Sequence, residues 1–300
     1  MNPVLLSLLA FLLLPISAAA QEIGTVTLVE GTLRLMRGTA VLQGVEGMRL
    51  YPGDILESSD PGFAQLEFSK GSIVALGAAT RVFLLHFGGG GEGATPTVAE
   101  LVMLGGSLKG ETHSNAGAYR YDSPLLAAST REGTVLLHAA AGESEMFLES
   151  GSALVGEVTP EGIWPRPTAA KAGQFFSRRA GRVTATASRP DAAFISSMPR
   201  PFRDTLPPRL SRFSGKPAEP KRDHEVSYAE VQPWLTMAHA WRRGLVQRFE
   251  PRLRDAAFRA ALEHHLKDHP EWDPILHPEN YRPKTAAPPA DQSDSSHGRY

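Results

Sequence analysis

Hydrophobic and polar residues alternate with a period of two along much of the first half of the chain. Around residues 25–28 and 32–35, valine and leucine alternate with threonine and arginine, and the pattern recurs at 63–68. This period is typical of half-buried antiparallel strands. Glycines fall where the runs must reverse, so we predict turns at Gly47, Gly53 and Gly71. The carboxylate of Asp54, which follows Gly53, is expected to bond its own turn or, alternatively, a ligand.

Apolar runs of strand length return in the second part of the chain, and we expect the sheet to extend to about residue 187. These runs lie at 101–104, 125–128, 134–138, 146–148 and 153–158. The sequence therefore predicts a mainly β protein with an antiparallel all-β domain over residues 21–187. Gly88, Gly90 and Gly93 form a Gly-x-Gly-x-x-Gly pattern, but no parallel βαβ unit surrounds it. We interpret it as a hairpin loop and predict no cofactor.

The turn motifs of this region have a specific spacing. The stretch from Gly47 to Asp54 reads Gly-x-x-Leu-x-x-Gly-Asp, and a strand ending at Phe68 is followed by Gly-Ser at 71–72. This arrangement resembles the FecR-domain family, and the resemblance extends more loosely to about residue 160. It implies an all-β extracytoplasmic domain of the kind that relays a signal from an outer-membrane receptor in sigma-factor regulators.

Two departures from the family pattern bear on what the resemblance implies. Glu132 splits the usual Arg-Gly-Thr motif, and Lys70 stands where an acidic residue usually precedes the Gly-Ser turn. The resemblance therefore implies the fold but not a shared ligand. Such regulators also carry a cytoplasmic helical head and a membrane span before the sheet domain, and neither is recognisable here. We expect no direct control of a sigma factor, and a role as extracytoplasmic signalling partner stays an alternative.

The first twenty residues predict a secretory signal peptide. Residues 4–14 form a short apolar run, and Ala18–Ala20 supply an Ala-x-Ala cleavage site. The run is shorter than a membrane span requires, so we predict cleavage after Ala20, with an uncleaved anchor as the alternative. The mature chain is then expected in the periplasm or outside the cell, with no stable membrane span. The absence of cysteine excludes a lipoprotein anchor and disulfide bonds.

Charge is distributed unevenly along a chain whose net charge is −1. Residues 21–160 contain 8 basic and 16 acidic residues, a net −8, whereas residues 162–222 contain 13 basic and 3 acidic residues, a net +10. Such asymmetry indicates internal docking or an anionic partner. We call residues 188–225, which are rich in proline and arginine, the basic strap. Its apolar residues recur every three or four positions and predict that it packs on the acidic sheet.

Arginines near and within the strap are candidates for binding a partner through carboxylate or phosphate groups. The candidates are Arg178, Arg179, Arg182, Arg203 and Arg209. Nucleic acid is not expected for an exported protein. An envelope protein, an anionic envelope polymer and the chain's own acidic sheet remain as partners.

The C-terminal part predicts a helical hairpin over residues 226–282. Ser227 to Glu230 matches a capping box, and Trp234, Trp241 and Phe249 follow at helical spacing. A second helix is predicted from about Asp255 to His269. The tryptophans are expected to form a core, with a sugar-stacking surface as the alternative. Residues 283–300 are polar and rich in proline and serine, and we predict disorder there.

No known enzyme motif is present in the sequence. His265 and His269 would share one helical turn and are candidate metal ligands, although histidines also cap helix C-termini. We therefore predict an exported, non-enzymatic binding or scaffolding protein of the cell envelope. A metal-dependent hydrolase that uses the histidine cluster is the alternative.

Overall fold

The computed structural model describes residues 21–88 and 98–281. The predicted signal peptide, the predicted disordered tail, and Gly90 and Gly93 of the glycine-rich pattern lie outside these residues. Within them, sixteen strands form one continuous hydrogen-bonded sheet. The strands are Gly24–Glu30 (β1), Leu33–Arg37 (β2), Ala40–Gly44 (β3), Arg49–Leu50 (β4), Ile55–Ser58 (β5), Phe63–Phe68 (β6), Ile73–Leu76 (β7), Arg81–Phe87 (β8), Val98–Thr112 (β9), Ala118–Asp122 (β10), Leu126–Ala140 (β11), Glu143–Glu157 (β12), Thr168–Lys171 (β13), Phe175–Arg179 (β14), Ala185–Ala187 (β15) and Lys221–Glu225 (β16).

The sheet folds over on itself into two layers because three long strands belong to both. The front sheet has the order β16-β3-β2-β5-β8-β9-β10-β11-β12-β13, and the back sheet has the order β4-β1-β6-β7-β9-β11-β12-β14-β15. Each of β9, β11 and β12 places one half in the front sheet and the other half in the back sheet. The mainly β prediction is confirmed.

Glycines allow the long strands to bend between the layers. Gly133 of β11 lies opposite Gly151 of β12, and both have positive φ, +134° and +77°. A Cβ atom on Gly133 would lie 2.3 Å from the carbonyl oxygen of Ser150, and one on Gly151 would lie 2.2 Å from that of Glu132. Only glycine therefore fits at this crossing.

One pair of strands departs from the predicted antiparallel arrangement. β10 runs parallel to the first part of β9, from Val98 to Val102. A parallel pair normally needs a long crossover, yet only residues 113–117 connect these two strands. The bend of β9 at Gly105–Gly106 explains the short connection, because the second half of β9 returns over its first half.

The space between the two layers is filled by apolar side chains from both sheets. Leu35, Leu84 and Leu101 of the front sheet meet Val26, Leu66 and Val135 of the back sheet, and all are at most 1% exposed. This burial is the main stabilising contribution to the sandwich.

Six short α-helices occur in the described residues, five of them after the strap. They are Ala192–Ser197 (α1), Tyr228–Leu235 (α2), His239–Arg242 (α3), Leu245–Phe249 (α4), Ala256–His264 (α5) and Asp273–Leu276 (α6). Single 3-10 turns lie at Ser69–Gly71, Ser114–Ala116, Arg200–Arg203, Leu210–Phe213, Glu250–Arg254, Leu266–Asp268, Pro270–Trp272 and Pro278–Tyr281.

The prediction of two long C-terminal helices is wrong. The first is broken between α2 and α3, where Ala238 adopts extended backbone angles, φ −51° and ψ 139°. The backbone there follows the loop after β12 instead, since the Ala240 N–H donates to the Glu161 carbonyl at 2.9 Å. The second helix ends at His264 rather than His269. The capping box between Ser227 and Glu230 is present.

Both outer faces of the sandwich are covered. The helices α2 to α6 bury Trp234, Trp241 and Trp272 against the front sheet in a second apolar core. On the back sheet, the strap buries Phe202 and Leu206, and α1 begins at the predicted cap, Asp191. The strap then adds β16 to the edge of the front sheet, a strand that the sequence pattern did not predict.

Candidate functional site

The predicted turn glycines lie in turns with left-handed backbone angles. Gly47, Gly53 and Gly71 have φ values of +83°, +88° and +88°. Asp54 is buried and accepts a hydrogen bond from the Tyr51 N–H at 2.9 Å. Its two carboxylate oxygens also accept from Arg37, at 2.8 and 2.7 Å. The Asp54 carboxylate is therefore engaged within the protein.

A guanidinium group from the helical segment contacts the turn at Gly53. Arg248 of α4 donates to the carbonyls of Met36, Gly38 and Gly53 at 2.6–2.7 Å. Burial lowers the pKa of Arg248 to about 10, and the nearby Asp54 carboxylate opposes this shift. The contact fixes the helical segment on the β-domain and covers the turn at Gly53.

The strap binds the acidic sheet through its backbone amides rather than through its arginine side chains. The carboxylate of Glu67 accepts from the N–H groups of Arg209 and Leu210 at 2.7 and 2.9 Å. Glu111 accepts from the Leu206 N–H at 2.9 Å. Both glutamates are buried. Hydrogen bonds to an ionised acceptor are roughly twice as strong as neutral ones, so these contacts hold the strap closely.

A buried lysine completes this attachment. Lys109 of β9 is 1% exposed, and its Nζ donates to the carbonyls of Phe202 and Asp204 at 2.9 and 3.0 Å. The same Nζ lies 2.9 Å from a carboxylate oxygen of Glu149. Lysine is seldom buried unless it is paired, and here strap carbonyls and a sheet carboxylate share its charge. No pattern in the sequence indicated this role for Lys109.

Because sheet carboxylates are satisfied in this way, the arginines of the strap are exposed, except Arg209, whose Nε is buried. Arg203 is exposed, and Arg209 is half-buried. Within residues 21–88 and 98–281, no carboxylate lies in ion-pair distance of either guanidinium. The same holds for Arg189, Arg200, Arg212, Lys216 and Lys221, which are exposed, whereas the exposed Arg222 pairs with Glu225. The outer surface of the strap is therefore positively charged.

The three remaining candidate arginines lie on the β14–β15 hairpin. Arg178 is half-buried and donates to the carbonyls of Leu125 and Val158 at 3.0 and 3.2 Å, besides pairing with Glu157. Arg179 is exposed and pairs with Glu143 at 2.9 Å, and this hydrogen bond raises the pKa of Arg179. Arg182 is exposed. Arg178 therefore has a structural contact, whereas Arg182 faces solvent.

The two candidate metal ligands do not share a helix face. His265 follows the last residue of α5, and its ring stacks on Tyr228 with centroids 5.4 Å apart. His269 is buried, and its Nε2 lies 3.0 Å from the Tyr228 hydroxyl. Burial lowers the pKa of His269. Within the described part of the chain, no group of three or more His, Asp and Glu side chains is arranged to hold a metal ion.

Two cavities flank the β14–β15 hairpin. The edge cleft, of about 640 Å³, opens between the ends of the front and back sheets. Its floor is apolar, with Leu126, Val155 and Phe176, and its walls include Thr184 and Thr186. The outer pocket, of about 440 Å³, lies on the opposite face of the hairpin, next to α1.

The outer pocket contains three carboxylates and two guanidinium groups. Glu143, Glu145, Asp191, Arg179 and Arg182 line it together with His138. Burial raises the pKa of Glu145, and the nearby Glu143 and Asp191 add to that shift. Among the described residues, no basic group forms an ion pair with Glu145, whereas Glu143 is paired with Arg179. The pocket therefore contains one carboxylate more than it contains guanidinium groups.

A hydrogen-bonded serine and histidine lie beside this pocket. Ser107 Oγ is 2.9 Å from His138 Nδ1, but Ser107 is 5% exposed and does not line the pocket. Burial lowers the pKa of His138. A nucleophile must reach its substrate, so this pair has a structural role.

Comparison with known proteins finds similar solved structures but no similar sequence. No protein-family model matches the sequence, and no curated protein matches it. Two crystal structures of a candidate anti-sigma factor from Parabacteroides distasonis ATCC 8503 match 47% of this chain, each with 10% identity and a TM-score of 0.37. The match spans 62% of those chains. At this level the similarity contributes nothing to the functional argument.

The described helices are also short. Within residues 21–88 and 98–281, none has the length and apolar composition needed to cross a membrane.

Proposed function

We propose that this protein is an exported, non-enzymatic binding protein of the cell envelope that holds an anionic partner on the strap. The proposal is based on the different partners of the backbone and the side chains of the strap. Backbone N–H groups of Leu206, Arg209 and Leu210 satisfy the buried sheet carboxylates. The guanidinium groups of the strap are left to meet an anion from outside. An envelope protein with an acidic surface and an anionic polymer both have this chemistry.

Binding of poly-L-glutamate, used as a model polyanion, tests this proposal. The variant Arg200→Glu/Arg203→Glu/Arg212→Glu should bind at least about tenfold more weakly, because each exposed pair contributes about 0 to 1 kcal/mol. The matched control is Arg243→Glu/Arg254→Glu/Lys267→Glu, which reverses three exposed charges in the helical segment. Equal losses in the two variants would show that binding follows total charge rather than the strap.

Export is tested separately by sequencing the amino terminus of protein from the periplasmic fraction. We expect the mature chain to begin at Gln21, because the apolar run and the Ala-x-Ala site precede it. Protein recovered with Met1 intact from the membrane pellet would contradict export in soluble form. Metal analysis of the same preparation tests the alternative of a metal-dependent hydrolase, since stoichiometric zinc would favour the enzyme.

A second function, as an extracytoplasmic partner in a signalling pathway, is favoured by the FecR-type spacing from Gly47 to Asp54. In this structure Arg248 donates to the carbonyl of Gly53, so a partner that binds this turn would first have to displace α4. The variant Arg248→Ala should then bind such a partner more tightly and change the expression of its target genes. Unchanged expression in this variant and in a deletion strain would argue against signalling.

A further inference from the structure

The last strand of the back sheet has an unoccupied edge. β15 pairs with β14 on one side, and no strand in residues 21–88 or 98–281 pairs with its other side. All three residues of β15 are exposed, and the preceding Val183 is 85% exposed. An unpaired strand edge presents a row of backbone N–H and C=O groups that another strand can bond. No lysine or proline protects the segment from Val183 to Ser188.

Cavities lie on both faces of this edge. Thr184 and Thr186 line the edge cleft, whereas Val183 and Ala185 line the outer pocket. This division follows from the alternation of side chains along a strand. A strand added beside β15 would continue the alternation, so that its side chains would point in turn toward the cleft and toward the pocket.

We propose that β15 accepts an extended segment of a partner polypeptide as an additional strand, with apolar side chains entering the edge cleft and basic side chains facing the outer pocket. The floor of Leu126, Val155 and Phe176 matches apolar side chains. The outer pocket matches a basic side chain, because its three carboxylates, Glu145 among them, outnumber its two guanidinium groups. Main-chain hydrogen bonds supply affinity in this mode of recognition, and the alternating pockets supply specificity. Arg200, Arg203 and Arg212 of the strap line neither cavity.

A second copy of the chain fits this edge less well than a partner peptide does. Between Val183 and Ser188 the chain has no basic side chain. A second copy paired along this segment would therefore place no basic group toward the outer pocket, whereas the basic side chains of a partner peptide would face it.

Peptide binding to the full mature chain tests the proposal. The probe is a fluorescently labelled heptapeptide that alternates valine and lysine, and fluorescence anisotropy measures its affinity. Only every second N–H of an added strand points toward its neighbour. N-methylation of the valines alone and of the lysines alone should therefore give unequal effects, a loss of at least about tenfold for one set and less than about twofold for the other. Equal effects of the two methylations would overturn strand addition.

Two further measurements test the side-chain specificity. Replacing the lysines of the peptide by glutamate should weaken binding, and Glu145→Gln in the protein should remove most of the preference for lysine. Tighter binding of the glutamate peptide would overturn the assigned chemistry and would indicate capture by arginines instead. Arg203→Glu on the strap serves as the control and should leave peptide affinity unchanged, which also separates this site from the proposed anion-binding surface.

Light scattering tests whether a second copy of the chain, rather than a partner peptide, occupies the edge of β15. We expect the chain to be monomeric at the concentrations used for peptide binding. A dimer that the peptide dissociates would assign the edge to a second copy and would overturn the proposal. Thermal unfolding of each variant checks that the fold is retained.

Discussion

The two outer faces of the sandwich are covered in physically different ways. On the front sheet, the helices bury a continuous apolar core that contains three tryptophans and Phe249. On the back sheet, the strap buries only a few large side chains, chiefly Phe194 and Phe202. Its attachment depends in addition on buried polar groups, Glu67, Glu111 and Lys109. Burial of a large apolar area holds the helices on the front sheet, whereas specific hydrogen bonds hold the strap on the back sheet.

The strap shows that a charged segment can dock on a sheet of opposite charge and keep its own charge. Had the arginines of the strap paired with carboxylates of the acidic sheet, their positive charge would have been neutralised. Backbone N–H groups instead satisfy Glu67 and Glu111, and they carry no net charge. The front covering therefore serves stability, whereas the back covering combines attachment with a charged outer surface.

The largest effect is expected from the front core. Trp241→Ala should lower the free energy of unfolding by about 3 to 5 kcal/mol, because it removes a large side chain that is 3% exposed. Denaturant unfolding measures this change. Ile163→Ala, at a side chain 53% exposed, is the control and should stay within about 0.5 kcal/mol of the wild type. An unchanged stability of Trp241→Ala would instead favour the alternative that the tryptophans form a sugar-stacking surface.

On the back face, the largest effect is expected from the buried lysine. Lys109→Met should cost about 3 kcal/mol, because it leaves two strap carbonyls and the Glu149 carboxylate without their shared donor. The strap should also become more sensitive to trypsin between Arg203 and Arg212. Lys171→Met, at an exposed lysine, is the matched control. Equal stabilities of the two variants would mean that Lys109 contributes nothing to docking.

A smaller effect is expected from the glutamate that binds the strap amides. Glu67→Gln should cost about 2 kcal/mol, because an amide replaces a carboxylate that accepts from Arg209 and Leu210. The buried contacts should persist at 1 M salt, where screening acts over about 3 Å in water. Limited proteolysis of the wild type at low and high salt measures this persistence. Rapid cleavage of the strap under both conditions would show that it is a free linker.

The smallest effect concerns pH and the front covering. Burial acts to raise the pKa of Glu230, but hydrogen bonds from Ser227 and His224 outweigh it and hold the pKa at about 2. A depressed folded-state pKa stabilises the fold above the unfolded value of about 4.3 and loses that contribution as pH falls toward 2. Glu230→Gln should therefore cost about 1 kcal/mol at pH 7 and almost nothing at pH 2. A cost independent of pH would contradict this assignment.

Period-two alternation and turn glycines were sufficient to predict a mainly β domain, and the spaced apolar residues of the strap were sufficient to predict its docking. The long bent strands were not predictable by the same reasoning. Gly105–Gly106 and Gly133 resemble turn signals, yet they lie inside β9 and β11 as bends. A local pattern does not distinguish a reversal from a bend, because both need a glycine with positive φ.

The burial of charged residues and the interruption of the helices depended on tertiary contacts. Lys109 and Glu111 occupy the polar positions of an alternating strand, and only the strap above them makes these positions interior. Apolar residues continue at helical spacing from Trp234 to Trp241, but the contact between Ala240 and Glu161 breaks the helix between them. No signal within either segment indicates these partners.

The three strands that belong to both sheets determine how the molecule can open. Hydrogen exchange reports the free energy at which each backbone amide becomes exposed, and segments with few shared bonds exchange first. β9, β11 and β12 connect the two layers through continuous backbone, so displacing any of these three strands disturbs hydrogen bonds in both layers. The amides of these strands should therefore exchange together, at the cost of opening the whole sandwich. Neither half of the sandwich is therefore a folding unit that recombination could transfer to another protein by itself.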